Sequence, residues 1–559
     1  MSNCAIYLNP EAYDTSKSAL MGRHSAGEGF LKGFLDYASV ERFYFWNVAN
    51  WSKEKLATFM ARFDLHGKPA TLIERAEFRR ISEAGAVHVP SPQTAREAWL
   101  RRRAGDRAYS ITGITHTTAT ARVMDSMASQ MFSPIEDWDA LICTSRAVRA
   151  NVSLQFEATA EYVKAKMGAT RVAIPRLYTI PLGLDASAFT PDPEKRRQWR
   201  EQLEIPQDAI VVLYVGRFSH TGKMNMAPMG LALERAAKQT GREIYWVLSG
   251  WAGNEKAEEH FHDATKAFCP SIHYKVVDGR KPENRFSIWS VGDIFISLSD
   301  NIQETFGLTP VEAMAAGLPC VVSDWDGYKD TVRHGLDGFR VPTYAPRAGM
   351  GTDLSLRHSA EWDSYDVYIG SAAQLTAVDV EVAASSLVKL IENDDLRRTM
   401  GETARARAHE RFDWRHVIPE YEAVWAELEA IRRRAPAEAP AARNINENPW
   451  RMDPFRLYGS YATEWLTRHT VVKLAPGMTV ELAVATLSHP LARWAPHLLP
   501  RMEEAQSMLA FIAERPQTSV DELVAAFPRE RANIIDRGVG WLAKYGVIQI
   551  LSGGLDIPT

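Results

Sequence analysis

The feature that most constrains this chain is an alternation. Over roughly residues 1 to 430, short runs of consecutive apolar, β-rich residues alternate with amphipathic stretches of helical period. Strands that are apolar at consecutive positions are covered on both faces, and strand–helix alternation predicts parallel α/β layers. In the first third the expected strands are Ala5–Leu8, Arg42–Asn47, Ala86–Val89, Tyr109–Ile114, Ala140–Thr144 and Leu177–Pro181, with helices such as Glu28–Ala38 and Lys53–Phe63 between them. A second set has strands Ile210–Val215, Ile244–Leu248, Ile272–Val277, Ile294–Leu298, Cys320–Ser323 and Phe339–Val341. It closes with helices near Val380–Glu392, Asp395–Glu410 and Val417–Arg434. The segment Tyr344–Leu375, which holds Tyr344, Trp362, Tyr365 and Tyr368, interrupts this set without clear periodicity and reads as a long loop, a type that is often functional, where acceptor specificity or partner docking could sit.

The 559 residues exceed what one core holds, and three domains are expected. Residues 435–454 read as a linker, with Pro436 and Pro440 in Ala-rich surroundings. Beyond it, Ser519 and Glu522 have capping-box spacing. Helices near Pro500–Glu514, Ser519–Ala526 and Arg529–Tyr545, followed by an apolar strand Val547–Leu551, make residues 455–559 resemble a winged-helix α+β module. Acidic residues (Glu503, Glu504, Asp521, Glu522) lie among its few basic ones, so the module is expected to bind a protein or peptide rather than DNA.

Lys plus Arg is 65 against 69 Asp plus Glu, a net charge of −4, which speaks against a nucleic-acid partner. The four cysteines (Cys4, Cys143, Cys269, Cys320) form no C-x-x-C pair, so neither a disulfide framework nor a zinc ribbon is expected. No basic–apolar leader and no run of about 20 apolar residues is found, and the expected location is the cytoplasm. Peripheral membrane contact is an open reading through Trp99-Leu100 and Arg101-Arg102-Arg103, set against a plain solvated helix end.

The strongest local signal is the run Glu304 to Ala316, ETFGLTPVEAMAA. Thr309 reads as an N-cap with Pro310 at the first helical position, so a helix is expected to start just past the carboxyl end of a strand. Ligands bind at that edge of open α/β sheets, and a helix N-terminus suits a diphosphate. Gly307 allows close backbone approach. Glu312 can equally complete a capping box with Thr309, and Glu304 can be a solvated loop carboxylate. Upstream, Val215-Gly216-Arg217 leads to Lys223, two cations in one loop that could clamp phosphates or simply be solvated.

These residues, with Gly292-Asp293-Ile294-Phe295-Ile296-Ser297, Gly317-Leu318-Pro319, Ile180-Pro181-Leu182-Gly183-Leu184-Asp185 and Arg411-Phe412-Asp413-Trp414, resemble glycosyltransferase family 4 over about residues 1 to 430. That family comprises retaining nucleotide-sugar enzymes of GT-B fold. The resemblance implies two Rossmann-like doubly wound domains facing a cleft. Residues 1–190, with a closing helix at about 415–434, would be the acceptor side, and residues 191–414 the nucleotide-sugar side. It implies that Glu312 holds the donor ribose, and that Glu304 with the amides of Phe306 and Gly307 holds the sugar. The amides of Leu308 and Thr309, with Arg217 and Lys223, would hold the diphosphate, and the loop Asp278–Lys281 would lie near the base. Gly22, Ser25 and Gly27 would form a glycine-rich loop facing the phosphates. His116, otherwise a structural histidine beside a strand end, would touch the donor sugar at the cleft.

The catalytic set implied is therefore His116, Glu304, Arg217 and Lys223. The reaction is transfer from a nucleoside-diphosphate sugar to a glycan, lipid-linked or protein hydroxyl, front-face and without a metal or other cofactor. A sugar-nucleotide sensor acting through the C-terminal unit, or a GT-B phosphorylase or epimerase, are the alternatives. Leu182 departs from the family, which usually has asparagine there, and so does the Tyr344–Leu375 segment.

Overall fold

The computed structural model describes residues 3–13, 22–223, 225–435 and 448–552. Seven parallel strands form the first sheet: β1 (Ala5–Leu8), β2 (Phe43–Asn47), β3 (Ala70–Glu74), β4 (Ala86–Val89), β5 (Ser110–Ile114), β6 (Ala140–Cys143) and β7 (Arg176–Thr179). Their order is β3-β2-β1-β4-β5-β6-β7. Six parallel strands form the second: β8 (Ile210–Val215), β9 (Ile244–Gly250), β10 (His273–Asp278), β11 (Ile294–Ser297), β12 (Cys320–Ser323) and β13 (Gly338–Val341), in the order β10-β9-β8-β11-β12-β13. This is the GT-B architecture of two Rossmann-like domains. Each sheet reverses its winding once, between β1 and β4 and between β8 and β11, and those switch points are where an open α/β sheet leaves a crevice.

Both sheets are pinned by the same device. Asp139, just before β6, takes the backbone N–H of Ile111 at 2.9 Å and pairs with the fully buried Arg101. Asp293, just before β11, takes the N–H of Val211 at 2.8 Å and pairs with the equally buried Arg200 at 2.8 Å. The basic run at Arg101-Arg102-Arg103 is thus not a surface patch: Arg101 is inside, and Arg102 turns onto Asp106 at 3.1 Å. Of the three, only Arg103 is exposed.

The helix Trp414–Arg434 packs on the first sheet's side of the molecule. Its Tyr421 and Trp425 rings lie 5.0 Å from Phe30 and 5.8 Å from Phe34 of the helix Gly22–Tyr37. That first helix corrects one expectation. Gly22, Ser25 and Gly27 lie in its first turns rather than in a loop, and residues 14–21 lie outside the described residues. Its glycines serve packing: a Cβ on Gly27 would sit 1.9 Å from the carbonyl oxygen of Ala12.

The segment expected as a loop is also structured. Strands β14 (Thr343–Tyr344) and β15 (Ala377–Val378) pair antiparallel and bracket two helices, Thr352–Ser359 and Tyr365–Gln374. Of their residues only Ile369 and Ala373 are buried, and Leu356 and Val367 are exposed, which hid the helical period in the sequence.

The chain divides into two compact units, Met1–Asn446 and Glu447–Thr559. Of the expected linker, residues 436–447 lie outside the described residues. The second unit holds a sheet in the order β17-β16-β18, with β16 Val471–Leu474, β17 Thr518–Ser519 and β18 Ile548–Ser552. The Ser519–Glu522 capping box forms, with Ser519 N–H donating to Glu522 at 2.8 Å and Glu522 N–H to Ser519 Oγ at 3.2 Å. The central strand, β16, precedes the helices, and β18, which follows them, is the strand expected at Val547–Leu551. Among the described residues no helix is long and apolar enough to cross a membrane.

Candidate active site

The site is built where β8 and β11 end. After β8, Phe218 N–H donates to Trp251 O at 2.8 Å, and Lys223 N–H to Ser219 O at 3.0 Å, curling residues 216–223 into a tight turn. After β11, Asn301 bridges to that turn by donating Nδ2–H to Thr221 O at 2.6 Å. The two loops are therefore one structure, and it places the Lys223 ammonium 2.5 Å from a Glu304 carboxylate oxygen. Burial alone would neutralise both groups. Instead the ion pair holds Lys223 above and Glu304 below their usual ranges, so both stay charged. Glu304 also accepts a backbone N–H bond from Thr305, at 3.3 Å, and the Phe306 N–H is near enough to lower its carboxyl further.

The helix Leu308–Ala315 starts two residues earlier than expected, with Gly307 as N-cap at φ +82°. A Cβ there would lie 2.0 Å from Tyr328, so the chain can turn at this point only as glycine. Thr309 consequently is not the cap. Its side chain lies near the Tyr328 phenol, which bonds to Ser297 at 2.9 Å, and no capping box forms with Glu312. Freed of that role, Glu312 lines a cleft of about 370 Å³ together with Leu308, Arg285 and Phe286, and with Ser25 from across the cleft. Burial raises its carboxyl to about 7, against the opposing charges of Arg285 and Lys223. Phe306 is buried against Phe412. The loop at Asp278–Lys281 is held by Arg280 folding onto Asp278 at 2.9 Å.

The first sheet presents its own carboxyl edge to this assembly. His116 follows β5, and its carbonyl accepts the Thr305 hydroxyl at 2.5 Å. Thr144 donates to Thr305 O at 3.2 Å, Ser145 to Asp326 at 3.1 Å, and Arg146 binds Asp330 at 2.6 Å. His116, Glu304, Lys223 and the start of the Leu308 helix are thus gathered at one seam. Arg217 lies close enough for its charge to act on Lys223 and Tyr214. Gly22 and Gly27 lie instead in the helix facing the cleft. Among the described residues no group of three or more His, Cys, Asp or Glu is arranged to hold a metal ion.

Residues that the sequence did not single out are Thr305, Asp326 and Tyr328; Tyr365 was visible only as one of the aromatics of the Tyr344–Leu375 segment. Asp326 stands at φ +39°, a conformation uncommon outside glycine, beside Ser145. The spacing Asp324-Trp325-Asp326-Gly327 after a strand was the available signal.

Comparison with known proteins agrees with this geometry. Residues 195–349 match the family described as Glycosyl transferases group 1. The domain and fold together make the chain an enzyme of the glycosyltransferase class. A D-inositol 3-phosphate glycosyltransferase of Corynebacterium kroppenstedtii is 24% identical over 390 residues, covering 66% of this chain and 73% of the relative. An N-acetyl-alpha-D-glucosaminyl L-malate synthase of Bacillus anthracis is 24% identical over 148 residues, 26% of this chain and 29% of the relative. The crystal structure of a glycosyltransferase from Rickettsia africae ESF-5 shares the fold over 76% of this chain and 98% of its own, with a TM-score of 0.50 and 14% identity.

Proposed function

We propose that the chain is a retaining transferase of glycosyltransferase family 4 type, moving a sugar from a nucleoside-diphosphate donor to an acceptor hydroxyl. The observation that carries this reading is the Lys223–Glu304 pair set beside the N-terminus of the Leu308 helix at the β8/β11 switch point. In the transfer, the bond from the anomeric carbon to the diphosphate oxygen breaks and a bond to the acceptor oxygen forms. The acceptor proton passes to the departing phosphate.

Negative charge grows on that phosphate, where Arg217, Lys223 and the amides of Leu308 and Thr309 are gathered to meet it without a divalent ion. Losing one such preorganised partner typically costs about 2.7–4 kcal/mol of barrier. Glu304, held ionised by Lys223, accepts sugar hydroxyls, and Glu312 accepts those of the ribose. His116 closes over the sugar from the opposite sheet. The front-face course, with no side chain as nucleophile, is carried over from the family that the sequence resembles.

A thermal-shift screen over UDP-, GDP- and ADP-sugars tests the reading. One donor should raise the melting temperature in proportion to saturation. Its turnover should vanish in Glu304→Ala and Lys223→Ala. D-inositol 3-phosphate and L-malate are the first acceptors to try, being named for the relatives. Turnover with inorganic phosphate as acceptor would favour a phosphorylase. Stabilisation without any turnover would favour a sensor.

A further inference from the structure

The two-helix segment between β14 and β15 folds back over the site. Its frame is internally fixed: His358 stacks on Tyr368 with ring centroids 4.1 Å apart, and Arg357 binds Asp363 at 2.7 Å. Tyr344 at its entry donates to Asp379 at its exit, at 3.2 Å. The helix Tyr365–Gln374 lies directly on the turn after β8, since a Cβ on Gly370 would be 2.9 Å from Thr221 Cβ.

This places Tyr365, in the first turn, where three loops of the site converge. Its hydroxyl is 3.4 Å from Gln303 Oε1, one residue before Glu304. It is also 3.4 Å from Thr117 Oγ1, one residue after His116. The Arg217 charge reaches the same phenol. Hydroxyl hydrogen bonds are normally 2.7–2.8 Å, so these oxygens hold one another weakly and an incoming hydroxyl can displace them at little cost.

Resting on the glycosyl-transfer reading above, we propose that Tyr365 is an acceptor-specificity residue of this enzyme. With Thr117 and Gln303 it forms a polar rim over the sugar end of the cleft, which binds hydroxyls of a polyhydroxylated acceptor and keeps that position from water. A site that hydrogen-bonds a substrate hydroxyl discriminates by that bond, and a closed rim limits hydrolysis of the donor.

The test uses the full chain carrying Tyr365→Phe or Tyr365→Ala. The donor is the nucleotide sugar found by thermal shift, and D-inositol 3-phosphate, L-malate, glycerol and water are the acceptor probes. Tyr365→Phe should raise the acceptor KM about tenfold, the equivalent of one hydrogen bond, with donor KM unchanged. Tyr365→Ala should in addition speed donor hydrolysis with water as sole acceptor by about tenfold. Unchanged acceptor KM and unchanged hydrolysis in both variants would overturn the proposal and leave the transfer reading standing. A rise in donor KM matching that in acceptor KM would also overturn it, because the side chain would then serve the fold or the donor. A parent protein that neither binds nor cleaves any nucleotide sugar would sink the transfer reading and this proposal with it.

Discussion

The Lys223 ammonium lies 2.5 Å from a carboxylate oxygen of Glu304, each side chain on a different loop of the second sheet. The two side chains are 24% and 12% exposed, so water screens the pair poorly. Breaking a buried pair by removing one partner leaves the other charge stranded, at a cost of about 3–5 kcal/mol. Partial exposure puts this one near the lower bound. Lys223→Ala should therefore lower the melting temperature by several degrees, and adding Glu304→Gln should return most of the loss while transfer stays absent. Calorimetry on the two variants checks it. A Lys223→Ala protein as stable as the parent would show that the pair is not coupled.

Glu312 supplies a second expectation through pH. Its carboxyl is raised to about 7 by burial. As an acceptor of ribose hydroxyls it serves best when ionised, so donor affinity should approach its full value about one unit above pH 7. It should then fall up to tenfold per unit below pH 7. Glu312→Gln should bind weakly at every pH and lose the dependence. Titration of the donor by calorimetry from pH 5.5 to 8.5 gives both curves, and a parallel pH profile in the variant would remove Glu312 from the site.

Much of this was legible in the sequence, for reasons that differ by residue. The strands of both sheets announce themselves because burial on both faces demands consecutive apolar residues, as in Ile294–Ser297. β3 escaped because Ala70–Glu74 is at the sheet edge and only Ile73 is buried. Glu304, Lys223 and Gly307 were found because a ligand edge needs charge and glycine close together along the chain. Asp326 was not, and Tyr365 stood out only as one aromatic among four in its segment, because their contacts exist only across the seam: Thr117 and Ser145 are more than 180 residues away in sequence. The capping reading of Thr309 failed for a local reason. Gly307 can take the positive φ that starts the helix earlier, and the Thr309 side chain then lies near Tyr328.

Trp414 provides a third expectation. Three glycines leave room for its indole: a Cβ would lie 2.4 Å from its ring atoms at Gly33, 2.5 Å at Gly183 and 3.3 Å at Gly29. The ring thereby locks the helix Trp414–Arg434 to the helix Gly22–Tyr37 and to the chain joining the two sheets. Gly33→Ala should cost roughly 1–3 kcal/mol by overpacking. In a Trp414→Ala background, where the space is open, the same change should cost little. A double-mutant cycle by denaturant unfolding measures the difference, and equal costs in both backgrounds would show that the contact is incidental.

Asp326 gives the last expectation, and its sign is fixed by direction. Its carboxyl is raised to about 8, first by burial and then by the charge of Glu304. Between its unfolded value near 4 and about 8, the folded chain holds a proton that the unfolded chain releases. Folding takes up a proton over that interval, so stability falls as pH rises and levels off above about 8. Asn is the informative replacement, because it tolerates the φ of +39° and keeps a polar side chain for Ser145 while carrying no titrating proton. Asp326→Asn should therefore lose part of the parent's slope between pH 5 and 8, up to about 1.4 kcal/mol per pH unit. Glu136, Asp300 and Glu312 are also raised, to about 7, and contribute equally to parent and variant, so the difference between the two curves isolates Asp326. Melting temperatures at half-unit steps provide those curves. Superimposable slopes would mean that Asp326 is ionised in the folded chain, and that Ser145 holds a carboxylate rather than a carboxylic acid.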